Sequence, residues 1–372
     1  MNKILVGQLA FIKESYDVIG VSSFVEKDFN EIQEREGITM ISIPFSRTIN
    51  LKKDFVSLFK LIQLFRKERP DIVHTHTPKA GLLGMIAAKI TRVPARLHTL
   101  GGMPLMEVQG TKRKILEFTE KLTYKCAHKV YPNSKGLKDF ILDNKFTSTN
   151  KVKVFGNGSS NGIDVEFYKK DYVGSEQEIQ GLKLELGIEP NDFVYMFLGR
   201  LAKDKGIVEL INAFEKVKVS KPEAKLLLVG PMEAENSSLS EETRNIILNS
   251  PSIIYPGRTD NVRAFLNLAD VFVFPSYREG FPNVLLQAGA MELPIIATNI
   301  NGCNEIIIDG ETGLLVPMKD ENALCEKMNI FYSNEELRRS ASLNVRRSTE
   351  EKFAQKLIWE EIKNEYDFYT KK

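Results

Sequence analysis

Cysteine is scarce. Cys126, Cys303 and Cys325 are the only three in 372 residues, and no two of them form a CxxC pair. An odd, scattered set gives neither a disulfide framework nor a cysteine zinc site. No basic-then-apolar leader opens the chain and no run of about 18 apolar residues occurs, which argues against a secretory or membrane-spanning protein. Net charge is scarce too: 51 Lys and Arg stand against 49 Asp and Glu, formally +2, which speaks against a dedicated nucleic-acid binder. There is no internal repeat of about 20 to 50 residues and no low-complexity tract. These absences leave a cytoplasmic globular protein as the expectation.

Hydrophobic residues make up 42% and charged residues 27%, ordinary globular proportions, so the chain should fold. At roughly 150 residues per domain its length predicts two domains. The small net charge conceals a gradient. Residues 1–155 hold 26 Lys and Arg against 15 Asp and Glu, net +11, which leaves 25 against 34, net −9, for the rest. Two readings of the basic half stand: a surface that meets phosphate groups or a membrane, or lysine-rich helix faces that are simply solvated.

Short apolar, β-branched runs alternate with helical patterns. They fall at 16–23, 71–76, 95–99, 128–133 and 151–157 in the first half, and at 193–199, 225–230, 270–276 and 293–299 in the second. Runs that are apolar nearly throughout suit strands buried on both faces, and alternation with helices implies parallel sheets built from βαβ units. The stretch FGNGSSNGID (155–164), rich in Gly, Asn and Ser, reads as a hinge with a ligand cleft beside it. The expected domains are therefore 1–158 and 159–352, with a C-terminal helix at about 353–372 packing back on the first. Stretches 51–69 and 110–129 mix Lys and Arg with large apolar residues. Such helices either pack one face on a sheet while their lysines snorkel, or touch a membrane.

Two segments carry chemistry. In FLGRLAKDKGIVELINAF (197–214) an apolar strand ends at Gly199 and a basic loop presents Arg200, Lys203 and Lys205. Gly206 then precedes a helix. Strand ends of parallel sheets are where ligands bind, and a helix N-terminus beside Arg and Lys suits a diphosphate; the bland alternative is a solvated basic loop. In PSYREGFPNVLLQAGAMELPIIATNINGCNEII (275–307) a strand leads to Glu279, Gly280, Phe281, Pro282 and Asn283 at a helix start, where free N–H groups can hold phosphate or sugar oxygens. Glu279 could there be only a favourable charge near the helix dipole. His74 and His76, on alternate positions of one buried strand, are expected on opposite faces and so are not expected to share a metal ion.

The order of GRLAKDKG, EGFPNVLLQAGAMELPIIAT and NGCNEIIIDGETGLLVP resembles family 4 of the retaining glycosyltransferases, from about Tyr16 to the C-terminus. VHTHTPKAGLLGMIAAKI (73–90), RLHTLGGMPL and GSSNGID are most similar to bacterial capsule and O-antigen enzymes that extend lipid-linked sugars. The resemblance implies an α/β protein of the GT-B fold, two facing Rossmann-like doubly wound domains with a central cleft. It implies a nucleotide-sugar donor, a UDP-hexosamine or UDP-hexose, and a polyprenyl-diphosphate-linked acceptor bound by the basic first domain at an anionic membrane surface on the cytoplasmic side. By the same resemblance Arg200 and Lys205 hold the diphosphate and stabilise the leaving group, and Glu279 sits near the donor sugar. Gly199, Gly280, Phe281, Pro282 and Asn283 line the donor site, and Arg258 lies by the base. His98 faces the cleft and contacts sugar or phosphate. The leaving phosphate takes the acceptor proton, so neither a glycosidase-like carboxylate pair nor a metal or cofactor is expected.

Two departures from the family pattern stand out. The second Glu of its Glu-x7-Glu signature is Gln287 here, which keeps one acceptor oxygen but loses the charge that would meet the ribose hydroxyls. And GQLAFIKESYDVIGVSS resembles the family's first helix and second strand, yet only Met1 to Val6 precede it. Either residues 3–6 form a stunted first strand or they belong to the helix and that strand is absent, through a late recorded start or a degenerate domain. Both departures keep open a second reading, a non-catalytic or weakened transferase-like partner subunit.

Overall fold

The computed structural model describes residues 4–371 except 47–49, 104, 106–107, 173 and 234–237. Contacts divide the chain into two compact units, one running to Gly162 and resuming at Gln355, the other spanning Ile163–Ala354.

The first unit alternates α1 (Gln8–Lys13), β1 (Ile19–Ser22), α2 (Glu26–Glu36), β2 (Thr39–Ser42), α3 (Leu51–Glu68), β3 (Ile72–His76), α4 (Pro78–Ile90), β4 (Ala95–Leu100), α5 (Gly110–Cys126), β5 (Lys129–Pro132) and α6 (Lys135–Asp143). All strand pairs are parallel. Because strand side chains alternate, the sheet β3-β4-β5 feeds two cores. Val73, Leu100 and Val130 join Leu61 and Phe65 of α3, Met85 of α4 and Tyr124 of α5. Leu97 and Tyr131 join Ile12 of α1 with Ile358 and Ile362 of the C-terminal helix Gln355–Thr370.

Three expectations are corrected here. His74 and His76 do not face opposite sides: residues two apart share a strand face, and their rings stack with centroids 4.5 Å apart. The run 151–157 is not a strand. It holds a single bridge from Val152 to Val130, then bends away where Gly156 and Gly158 take φ of +51° and +119°. Of residues 3–6, expected as strand or helix, Lys3 lies outside the described residues and 4–6 form, with Gly7, a turn leading into α1, with Glu36 accepting the N–H groups of Gly7 and Ala10 at 2.9 and 3.0 Å. β1 pairs only with β2, apart from β3-β4-β5. A doubly wound sheet has a central strand joining such halves, and none is found among the described residues.

The second unit contains α7 (Ser175–Leu186), β6 (Phe193–Leu198), α8 (Ile207–Ser220), β7 (Ala224–Val229), α9 (Glu241–Asn249), β8 (Ile253–Gly257), α10 (Val262–Leu266), β9 (Val271–Phe274), α11 (Asn283–Ala290), β10 (Ile295–Thr298), α12 (Cys303–Ile306), β11 (Gly313–Val316), α13 (Glu321–Ser333) and α14 (Glu335–Phe353). Its six strands are parallel in the order β11-β10-β9-β6-β7-β8. Counted from β6 this is the doubly wound order 3-2-1-4-5-6, which reverses between β6 and β9. At such a reversal the connections leave to opposite faces and open a crevice beyond the carboxyl ends of the strands. Strands buried on both faces explain the apolar runs, with Val194 to Phe197, Leu226 to Val229, Val271 to Val273 and Ile295 to Ala297 all almost fully enclosed.

Candidate active site

The two segments singled out from the sequence meet at this reversal. β6 runs into Gly199 and Arg200, then a single 3-10 turn at Lys203–Lys205; β9 runs into the turn that carries Glu279. Lys205 Nζ lies 2.5 Å from Glu279 Oε1, and both side chains are about 15% exposed: 16% for Lys205 and 15% for Glu279. The Ser276 hydroxyl donates to the same carboxylate oxygen at 2.9 Å. Gly206 makes this approach feasible. Its φ is +69°, and a Cβ there would come within 2.1 Å of the Pro275 carbonyl.

Arg200, half exposed, pairs with Glu233 and lies 3.7 Å from Asp204, which Arg278 also reaches at 2.9 Å. Two cations of the β6 loop thus stand at the crevice mouth, each matched by carboxylates that a diphosphate would have to displace or share. The loop after β10 braces the opposite wall: Asn301 Nδ2 donates to the carbonyls of Glu279 and Gly280, both at 3.1 Å. Gly302, at φ +79°, sits so close that a Cβ would be 2.5 Å from the Gly280 oxygen. Cys303 is fully enclosed near Glu279, and burial pushes its thiol well up, so it is held neutral.

No side chain caps α11, whose N-cap is Pro282, so its first turn presents backbone N–H groups next to Glu279. Asn283 and Gln287, four apart, share one face of this helix. Gln287 Nε2 donates to the Tyr168 hydroxyl at 2.8 Å. Phe281 and Pro282 are buried, and the Phe281 ring packs 5.5 Å from that of Phe353, so this residue supports the turn from beneath.

The structure therefore gathers Gly199, Arg200, Lys205, Glu279, Gly280, Pro282 and Asn283 at one crevice, with Gln287 a turn further along α11. Arg258 follows β8, two strands from β6; it is exposed and pairs with Asp260 at 3.3 Å. His98 belongs to the first unit and is completely buried. Its Nδ1 is 2.9 Å from Thr75 Oγ1, its Nε2 has no partner among the described residues, and α4 lies so close that a Cβ on Gly81 would be 2.3 Å from the ring. Sequence reasoning missed Ser276, Asn301 and Tyr168, whose roles come from loops meeting across the crevice. Among the described residues no group of three or more His, Cys, Asp or Glu could hold a metal ion.

Two family models match the chain, Glycosyl transferase 4-like over residues 5–134 and Glycosyl transferases group 1 over residues 180–348. The capsular polysaccharide biosynthesis glycosyltransferase CapM of Staphylococcus aureus is 38% identical over 370 residues, 99% of this chain and 94% of that protein. The chain belongs to the group 1 glycosyl transferases. An Escherichia coli relative of this transferase, a UDP-Gal:alpha-D-GlcNAc-diphosphoundecaprenol alpha-1,3-galactosyltransferase, is 31% identical across 74% of this chain and 69% of its own. Among solved structures, a glycosyltransferase from Rickettsia africae superposes with a TM-score of 0.82 at 20% identity, covering 100% of this chain and 96% of that one. Anabaena HepE in complex with UDP gives 0.79 at 19%, covering 99% and 97%. At these identities the likeness speaks for the fold, which is GT-B.

Proposed function

We propose that this transferase moves a sugar from a nucleotide-sugar donor, a UDP-hexose or UDP-hexosamine, to a polyprenyl-diphosphate-linked acceptor, with retention, in the synthesis of a bacterial surface polysaccharide. The observation that carries the reading is the Lys205–Glu279 pair at the β6/β9 reversal, with Arg200 beside it. A diphosphate arriving there meets two fixed cations and the uncapped start of α11. As the bond from the anomeric carbon to the diphosphate breaks, charge grows on the leaving oxygen, and Lys205 and Arg200 stabilise it. The acceptor hydroxyl attacks the face the diphosphate leaves, and its proton passes to the departing phosphate oxygen. Glu279 orients Lys205 and borders the donor sugar, and Gln287 approaches the ribose.

The relatives support the acceptor class, since the Escherichia coli protein is described by a diphosphoundecaprenol acceptor, and the UDP complex of a protein of this fold supports the nucleotide. The second reading, a non-catalytic or weakened partner subunit, draws on Gln287 and on the first unit, where no central strand joins β1-β2 to β3-β4-β5 among the described residues. Incubation with a panel of nucleotide sugars and a polyprenyl-diphosphate acceptor, followed by NMR of the product, tests the proposal. A new α-linkage from an α-donor is expected. An inverted anomeric centre would contradict retention, and no product with any donor would favour the partner subunit.

A further inference from the structure

Among residues 285–290 of α11, Gln287 alone is not buried. Its Nε2 donates to the Tyr168 hydroxyl at 2.8 Å, and its Oε1 makes no hydrogen bond among the described residues. A primary amide carries two donors at one end and an acceptor at the other, and a half-turn about its last torsion exchanges the ends at little steric cost. A carboxylate has no such choice, since both of its oxygens accept. Where an amide stands in place of a carboxylate, a second group must decide which end is left for a ligand.

Tyr168 is held firmly enough to decide it. The Asp164 carboxylate accepts from the N–H groups of Glu166 and Phe167 at 3.1 and 2.9 Å, and the Asp164 carbonyl accepts from the Tyr168 N–H at 3.0 Å. The Arg346 guanidinium, on α14, donates to the carbonyls of Val165 at 3.1 Å and Tyr168 at 2.7 Å, and to that of Ala290 at the end of α11. One guanidinium thus fastens the loop to the helix that carries Gln287. The Phe167 ring stands edge-on to Tyr168 with centroids 5.0 Å apart, and the Arg263 guanidinium lies over it at 4.3 Å. Because Arg346 already joins loop and helix through the backbone, the bond between Tyr168 and Gln287 is not needed to hold the loop. Burial raises the pKa of Tyr168 above its ordinary value of 10, so its oxygen stays a neutral hydroxyl, and Gln287 is its one partner among the described residues.

We infer that Tyr168 is a positioning residue of the donor site: it holds the Gln287 amide by its nitrogen end, so that Oε1 is left to accept from a ribose hydroxyl, and the pair selects ribonucleotide donors over deoxyribonucleotide ones. The inference rests on the donor reading above and goes beyond it, because Tyr168 acts through Gln287 and not on the nucleotide itself. One neutral acceptor reads the sugar through one ordinary hydrogen bond, which corresponds to about three- to tenfold in affinity.

Calorimetric titration of the full chain with UDP and with dideoxyuridine diphosphate, which lacks both ribose hydroxyls, tests it. The wild type should prefer UDP by about three- to tenfold. Y168F should bind UDP more weakly and the dideoxy compound as before, so that the preference falls to about twofold or less, as in Q287A. Y168F/Q287E should regain the preference, because a carboxylate needs no orienting. Damage to the loop would instead weaken both compounds together and would not be rescued by the carboxylate; either result overturns the inference, as does a Y168F chain that keeps the wild-type preference. Should Y168F fold poorly, the wild type alone decides, since equal affinity for the two compounds overturns the inference without any variant. In each of these cases UDP still binds and the donor reading stands. A wild type that binds no UDP removes the donor reading and the inference together.

Discussion

In the proposed donor site Gln287 takes the place of a carboxylate that would make charge-assisted hydrogen bonds to a ribose, and a neutral amide gives bonds roughly half as strong. Restoring the charge with Gln287→Glu is expected to lower the dissociation constant for UDP by about 5- to 30-fold, about 1 to 2 kcal/mol, in a calorimetric titration. Tyr168 accommodates the change, because its hydroxyl can donate to a carboxylate as well as accept from an amide. An unchanged constant would remove Gln287 from the nucleoside. His98 makes a different prediction. Burial lowers its pKa from 6.5 to about 4, so between those values the unfolded chain binds a proton that the folded chain refuses. Stability contributed by the neutral ring is complete above about pH 6.5 and is lost as pH falls towards 4, on the order of 3 kcal/mol in all. His76, lowered to about 3, and His74 act in the same direction. Urea unfolding at neutral and mildly acidic pH should show the decline, and His98→Gln should lessen it, with His74 and His76 supplying what is left. A wild-type stability independent of pH in this window would contradict the enclosed, neutral ring.

At the scale of elements, the crevice depends on backbones that pass very close. Gly302→Ala introduces a Cβ at 2.5 Å from the Gly280 carbonyl in a left-handed residue, and should cost roughly 1 to 3 kcal/mol while weakening UDP binding through displacement of the Glu279 turn. Gly310 has nearly the same φ, +76°, with open space around it, so Gly310→Ala should show the strain in unfolding without the loss of UDP. Equal effects on UDP would argue that the clamp plays no part in the site. Strands of central position, such as Phe193–Leu198, are legible because burial on both faces leaves an unbroken apolar run, and the β-branched runs of β1, β3 and β5 are legible although each lies at a sheet edge. β2, β8 and β11 escaped notice. β2 has exposed and half-buried positions only, β8 ends in Tyr255-Pro256-Gly257, and β8 and β11 lie at the sheet edges. The motif residues Arg200, Lys205 and Glu279 were legible because their loops have distinctive chemistry; that Lys205 meets Glu279 across 74 positions is a property of the strand order, and no local pattern encodes it.

For the whole molecule, the formal charge of +2 joins a first half of +11 to a remainder of −9, so electrostatics differs between the units and not merely between residues. The cations of the first unit lie largely on helix faces turned to solvent. In the second, Lys205 is enclosed with its carboxylate at the reversal of the sheet. In the proposed reaction this crevice holds the diphosphate of a nucleotide sugar. Titration calorimetry of UDP into the wild type and Lys205→Gln tests it most directly. Saturable binding of one UDP per chain is expected, weakened at least about tenfold in the variant through loss of a charged hydrogen bond to phosphate. A wild type that gives no binding with UDP, GDP or ADP, or a variant that binds as tightly as the wild type, would contradict it.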